Sequence, residues 1–167
     1  MKKIESFQIN HFKLTRGLYV SRRDEHQGVC VTTFDMRMTI PNGEIVMNTG
    51  TMHTIEHLGA TFLRNSEQAQ NVVYFGPMGC RTGFYLVMFG NLTSEDVYGL
   101  VVEMCRFILQ FEGQIPGATP VECGNYSDQD LPNAKLYIKQ YLDDLTKYKI
   151  FTYEASARAF AGKNSQE

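Results

Sequence analysis

From Val29 to Ile40 side chains alternate with a period of two. Cys30, Phe34, Met36, Met38 and Ile40 share one face, and Val31, Thr33, Asp35, Arg37 and Thr39 share the other. This pattern predicts a half-buried strand with a polar second face, ended by the turn residues Pro41-Asn42-Gly43. Residues 17–23 supply an antiparallel partner before it, so a sheet with one open face is expected. At Asn48 the period changes to that of a helix. Asn48, Thr49 or Thr51 serves as N-cap, and Met52, Ile55, Gly59, Phe62 and Leu63 form an apolar stripe opposite His53, Glu56, His57, Ala60 and Arg64. Residues 71–76 and 83–90 read as short strands around the turn Gly76-Pro77-Met78-Gly79. The cap signal Thr93-Ser94-Glu95-Asp96 opens a second helix to about residue 112, and a third is expected over 130–147. Periodicity then fades, and the last 15–20 residues are expected to be disordered. No repeat or linker divides the chain, which gives a single domain over 1–167 of the α+β class: two layers, a mostly antiparallel sheet packed against helices.

Composition changes this picture little. With 167 residues, 43% hydrophobic and 20% charged, the chain can bury a sizeable core without disulfides. A net charge of −2 supplies no basic field for nucleic acid or an anionic membrane surface. No apolar run approaches the ~20 residues of a membrane span, and the N-terminus lacks the apolar core of a signal peptide. A cytoplasmic protein whose partners are small molecules or other proteins is expected. Cys30, Cys80, Cys105 and Cys123 are widely and irregularly spaced, so each reads as a packing residue, a ligand or a proton carrier rather than as half of a disulfide.

The chemistry concentrates in His53-Thr54-Ile55-Glu56-His57. Positions four apart on a helix lie one turn above each other, so two imidazoles can aim at one ion while Glu56 acts on a bound water or a substrate proton. The five residues alone fit a solvated helix face equally well. Cys123, beside Gly124 in a Pro/Gly-rich loop, is the candidate third donor, although a small buried residue is the common fate of a free cysteine. Cys80 sits on a constrained turn before Arg81, whose charge and exposed amides favour a thiolate; it is a candidate acid, base or nucleophile, or a turn cysteine of no consequence.

Taken together, Ile4-Glu5-Ser6-Phe7 with Asn10-His11, Phe34-Asp35-Met36-Arg37, His53 to Leu58, Gly76 to Tyr85 and Glu122-Cys123-Gly124-Asn125 closely resemble, in that order, the S-ribosylhomocysteine lyase family, also called LuxS. The match runs from about residue 4 to 145. The resemblance implies one divalent metal per subunit on His53, His57 and Cys123, Fe(II) in the native family and Zn(II) or Co(II) as substitutes. It implies Cys80 and Glu56 as acid/base groups, Ser6, His11 and Arg37 as substrate contacts, and a homodimer with its active sites at the subunit interface. The implied reaction cleaves S-ribosylhomocysteine to homocysteine and 4,5-dihydroxy-2,3-pentanedione, precursor of the autoinducer-2 signal, by carbonyl migration and β-elimination. The chain departs from the family pattern at Asn10, usually acidic, at Tyr74, where many members carry Asp, and at Gln129, where histidine is common. Two other classes remain open to the residues alone. One is a metallohydrolase of the inverted H-x-x-E-H type, in which Cys80 is idle; the other is a non-catalytic metal-binding domain with a closed coordination sphere.

Overall fold

The computed structural model describes residues 9–163. The alternation around residue 30 becomes a hairpin of β1 (Gly17–His26) and β2 (Val29–Arg37). Its two-residue loop places both Gln27 and Gly28 at positive φ, 50° and 80°, the backbone twist that lets two strands pair without splaying. Two further strands, β3 (Val72–Pro77) and β4 (Gly83–Phe89), complete an antiparallel sheet in the order β1-β2-β4-β3.

On one face Phe34, Met36, Phe84, Leu86 and Met88 are buried, continuous with Phe75 from β3. Three helices cover this face: α1 (Thr49–Arg64), α2 (Ser94–Gln110) and α3 (Leu131–Tyr148). Each starts at a side-chain cap, respectively Asn48, Thr93 with the reciprocal Asp96 bond of a capping box, and Asp130. Such caps contribute about 1 kcal/mol each. The apolar stripe predicted for α1 faces this core through Ile55, Leu58, Gly59 and Leu63. At Gly59 an added Cβ would stand 2.4 Å from the Phe75 ring, so only glycine lets α1 lie this close to β3.

The second face differs from the open, solvated surface expected. Tyr19, Asp35 and Arg37 on it are 0%, 2% and 3% exposed. Part of the cover is a fourth helix, α4 (Tyr153–Lys163), in the stretch where sequence periodicity is weak. Tyr153 of α4 stacks on Tyr19 with ring centroids 4.8 Å apart, and Tyr19 pairs in register with Asp35. β2 also ends at Arg37 rather than continuing to Ile40, because Met38 and Thr39 turn their amides to the Thr82 carbonyl. No helix among the described residues is long and apolar enough to cross a membrane.

Candidate metal centre and thiol site

α1 carries His53 and His57 one turn apart, and the rings meet edge to face with centroids 4.5 Å apart. Each Nδ1 is held by a main-chain carbonyl: His53 by Asp128 at 2.9 Å, His57 by Pro116 at 2.7 Å. A protonated Nδ1 leaves Nε2 with its lone pair, the tautomer a metal ligand requires. Gly117, at φ 73°, makes the approach to His57 workable, since a Cβ there would lie 3.2 Å from His57 Nδ1.

Cys123 is brought to this pair by the loop between α2 and α3. A turn in which the amides of Glu122 and Cys123 both donate to the Thr119 carbonyl places Cys123 Sγ 3.3 Å from His53 Nε2. One donor atom from each of His53, His57 and Cys123 lies within 4.8 Å of the other two. Four-coordinate ions with imidazole and thiolate ligands set donors roughly 3.5 Å apart, so the triad needs little contraction to close on one ion. Two imidazoles and one thiolate suit a borderline divalent metal and leave further coordination positions to other ligands.

Gln129, one of the departures from the resembled pattern, lies behind the triad. Its Nε2 is 3.2 Å from His53 Nδ1, and its Oε1 accepts a hydrogen bond from the Thr54 hydroxyl at 2.8 Å. That hydroxyl in turn accepts from the Asp130 amide at 2.8 Å. The amide side chain thus ties the loop carrying Cys123 to the helix carrying the histidines. Glu56 is half-buried on the same helix face, with no hydrogen bond or ion pair among the described residues, so its carboxylate remains available to a ligand.

A second group of side chains forms around Cys80. The turn joining β3 to β4 is pinned by Arg81 N–H donating to the Met78 carbonyl, Met78 N–H to Gly83 and Met47 N–H to Arg81. Arg81 accepts a left-handed φ of 62° there. The exposed Cys80 thiol lies 3.1 Å from the Thr82 hydroxyl and 3.8 Å from Arg37 Nη1. Arg37 Nη1 also donates to Thr82 Oγ1, while Nη2 donates to Asp35 Oδ2 at 2.6 Å. Burial pushes the Cys80 thiol up, but the Thr82 hydroxyl and amide, followed by the Arg37 charge and hydrogen bond, more than offset it and hold the thiol below its ordinary range. Cys105 shows the contrasting case: buried without such partners in the core, it is pushed up to about 12.

This arrangement makes Thr82→Val a near-isosteric probe that leaves the Arg37–Asp35 pair in place. A thiol reacts as thiolate, so removing the hydroxyl should move the midpoint of Cys80 alkylation by iodoacetamide to higher pH. Mass spectrometry of the Cys80 peptide measures it; an unmoved midpoint would show that Thr82 does not stabilise the thiolate.

Of the other residues singled out in the sequence, Ser6 lies outside the described residues. His11 opens a short 3-10 turn, His11–Lys13, with Nδ1 2.9 Å from the Ile9 carbonyl. No hydrogen bond or ion pair among the described residues joins the triad to the Cys80 group. Arg37 and Asp35 project from the face of β2 opposite the one packed on α1. Sequence reasoning passed over Asp35 and Thr82. The signal for both was a spacing of two: Asp35 and Arg37 share a strand face, and Thr82 follows Cys80 by two across the turn.

The family model described as S-Ribosylhomocysteinase (LuxS) matches residues 4–151. Among curated proteins, S-ribosylhomocysteine lyase of Finegoldia magna is 55% identical over 149 residues, covering 89% of this chain and 95% of the relative. The protein of the same name from Clostridium acetobutylicum is 53% identical over 154 residues, covering 90% and 98%. That from Borreliella burgdorferi is 49% identical over 150 residues, covering 89% and 96%.

Proposed function

Because the chain belongs to the S-ribosylhomocysteinase (LuxS) family, we propose that it is a metal-dependent carbon–sulfur lyase. It cleaves S-ribosylhomocysteine to homocysteine and 4,5-dihydroxy-2,3-pentanedione, with His53, His57 and Cys123 as metal ligands and Cys80 and Glu56 as proton carriers. The observation that carries the reading is a thiol beside Arg37 and Thr82, held below its ordinary range, in the same chain as a three-donor His-His-Cys triad. A hydrolase working through a metal-bound water would leave that thiol without a task.

A bound divalent ion supplies Lewis acidity that makes the C–H protons beside the opened ribose carbonyl removable. Cys80, already biased toward thiolate, takes the proton from the hydroxyl-bearing carbon next to the carbonyl and delivers it to the former carbonyl carbon, while the hydroxyl proton passes to the former carbonyl oxygen, so that the carbonyl moves one position along the chain. Repetition brings the ketone to C3. Glu56 then removes the C4 proton, the electron pair forms the C4–C5 double bond as the C5–S bond breaks, and the proton passes to the departing homocysteine sulfur. The C4 enol so formed loses its hydroxyl proton and gains one at C5, which gives the dione with its terminal methyl group. Ser6, His11 and Arg37 hold the substrate.

The native ion is Fe(II), with Zn(II) or Co(II) able to take its place; mixed imidazole and thiolate donors suit all three. The protein is a single cytoplasmic domain and works as a homodimer with its sites at the interface. Two features support the dimer. No hydrogen bond or ion pair among the described residues joins the triad to the Cys80 group, and β-sheet residues Val29, Tyr74 and Phe89 remain 51%, 50% and 47% exposed.

Homocysteine release from S-ribosylhomocysteine by Fe(II)- or Co(II)-loaded protein, followed with a thiol reagent, tests the proposal. Release by the wild type and its loss in Glu56→Gln establish the lyase. No release from folded, metal-loaded protein would reduce the likeness to fold and metal site.

A further inference from the structure

α4 begins at Tyr153, beyond the residue 151 at which the match to the family model ends. The helix packs on the segment that carries His11. Ser156, 0% exposed, accepts a hydrogen bond from the Thr15 amide at 2.8 Å and donates to the Lys13 carbonyl at 3.1 Å. Leu14, Tyr19 and Ile150 form a small apolar cluster separate from the main core, and Tyr153, Ala155 and Ala159 of α4 pack against it. A buried amide with one acceptor has no substitute when that acceptor goes. The turn holding His11 therefore owes its placement to a contact 141 residues away in sequence.

We propose that α4 is a positioning element of the substrate site: through Ser156 and Tyr153 it clasps residues 9–15 and fixes His11 against the sheet face that carries Asp35 and Arg37. Neither α4 residue touches the reacting atoms. Both act through the segment they hold. The His11 ring is free to meet a ligand through Nε2, because Nδ1 is bound to Ile9. The Tyr153 hydroxyl is buried on the same side with no hydrogen-bond partner among the described residues. One helix thus abuts the segment that carries His11 and, through Tyr19, the sheet face from which Arg37 projects. The inference rests on the reading of His11 as a substrate contact.

The test uses the full-length, metal-loaded protein. Ser156→Ala should speed amide hydrogen exchange across residues 11–15 and raise KM for S-ribosylhomocysteine about tenfold, because the competent placement of the turn is less populated. kcat should stay within about threefold, because the proton carriers are untouched. Exchange in α2 and α3 serves as the internal reference for intact folding. Should Ser156→Ala lose its cooperative unfolding transition, Tyr153→Leu removes the stack, keeps the Ser156 bonds and carries the same readouts. His11→Ala separates the two ideas. A raised KM in His11→Ala with an unchanged KM in the α4 variant would overturn the role of α4 and leave the substrate reading standing. An unchanged KM in His11→Ala would remove the substrate contact and the positioning role with it.

Discussion

Replacing Cys80 by alanine is expected to lower kcat for homocysteine release by about 10²–10⁴-fold, the range a positioned acid/base group contributes, with metal content unchanged. The separation of the two effects follows from geometry. Cys80 stands on the turn after β3, bonded to Thr82 and Arg37, and shares no hydrogen bond with His53, His57 or Cys123. Its removal leaves the Arg37–Asp35 pair and Thr82 in place. The substitution also falls on an exposed side chain, so the unfolding temperature should barely move. Kinetics, metal analysis and a melting curve on one preparation measure all three. A variant that keeps its rate would return Cys80 to the status of a turn residue and bring the hydrolase reading forward.

Cys123→Ala should have the opposite profile. With a thiolate lost from a three-donor set, the protein should purify with little metal, and activity should fall with metal content. The loss should also show in stability. A metal present at a hundred times its dissociation constant stabilises the folded state by about 2.7 kcal/mol, or roughly 5–10 °C for a chain of this size. The wild type should therefore melt higher with added Co(II) than with a chelator, and Cys123→Ala should show no such difference. The region expected to respond is the loop from residue 113 to 129, whose contacts to α1 run through the Pro116 and Asp128 carbonyls and the Gln129 amide. Equal metal content in variant and wild type would remove Cys123 from the ligand set.

The elements with strong local patterns lie close to where the sequence puts them. α1 starts at Thr49 behind Asn48, α2 at Ser94 behind the Thr93–Asp96 box, and α3 at Leu131 behind Asp130, because caps and apolar spacing act within a turn or two. The convergence of His53 and His57 was legible for the same reason: four residues on a helix are one turn. The choice of Cys123 as third donor needed a chemical argument about donor number, since nothing local links residue 123 to residue 53.

The sequence by itself determined where the first three helices and the strands begin, to within a residue or two, which stripe of α1 bears imidazoles and which family the chain resembles. Only the tertiary structure decided that the polar face of β2 is covered. Asp35, Arg37 and Tyr19 carry the pattern of a solvated strand face, yet each is buried: α4 stacks Tyr153 on Tyr19, and Arg37 pairs with Asp35 and Thr82. The tertiary structure likewise decided that Thr82 and Arg37, not the adjacent Arg81, hold the Cys80 thiol below its usual range. Periodicity records how a segment meets the interior on average. Which segment does the covering, and which charge faces which atom, depends on contacts between residues far apart in the chain, and these form only when the layers close.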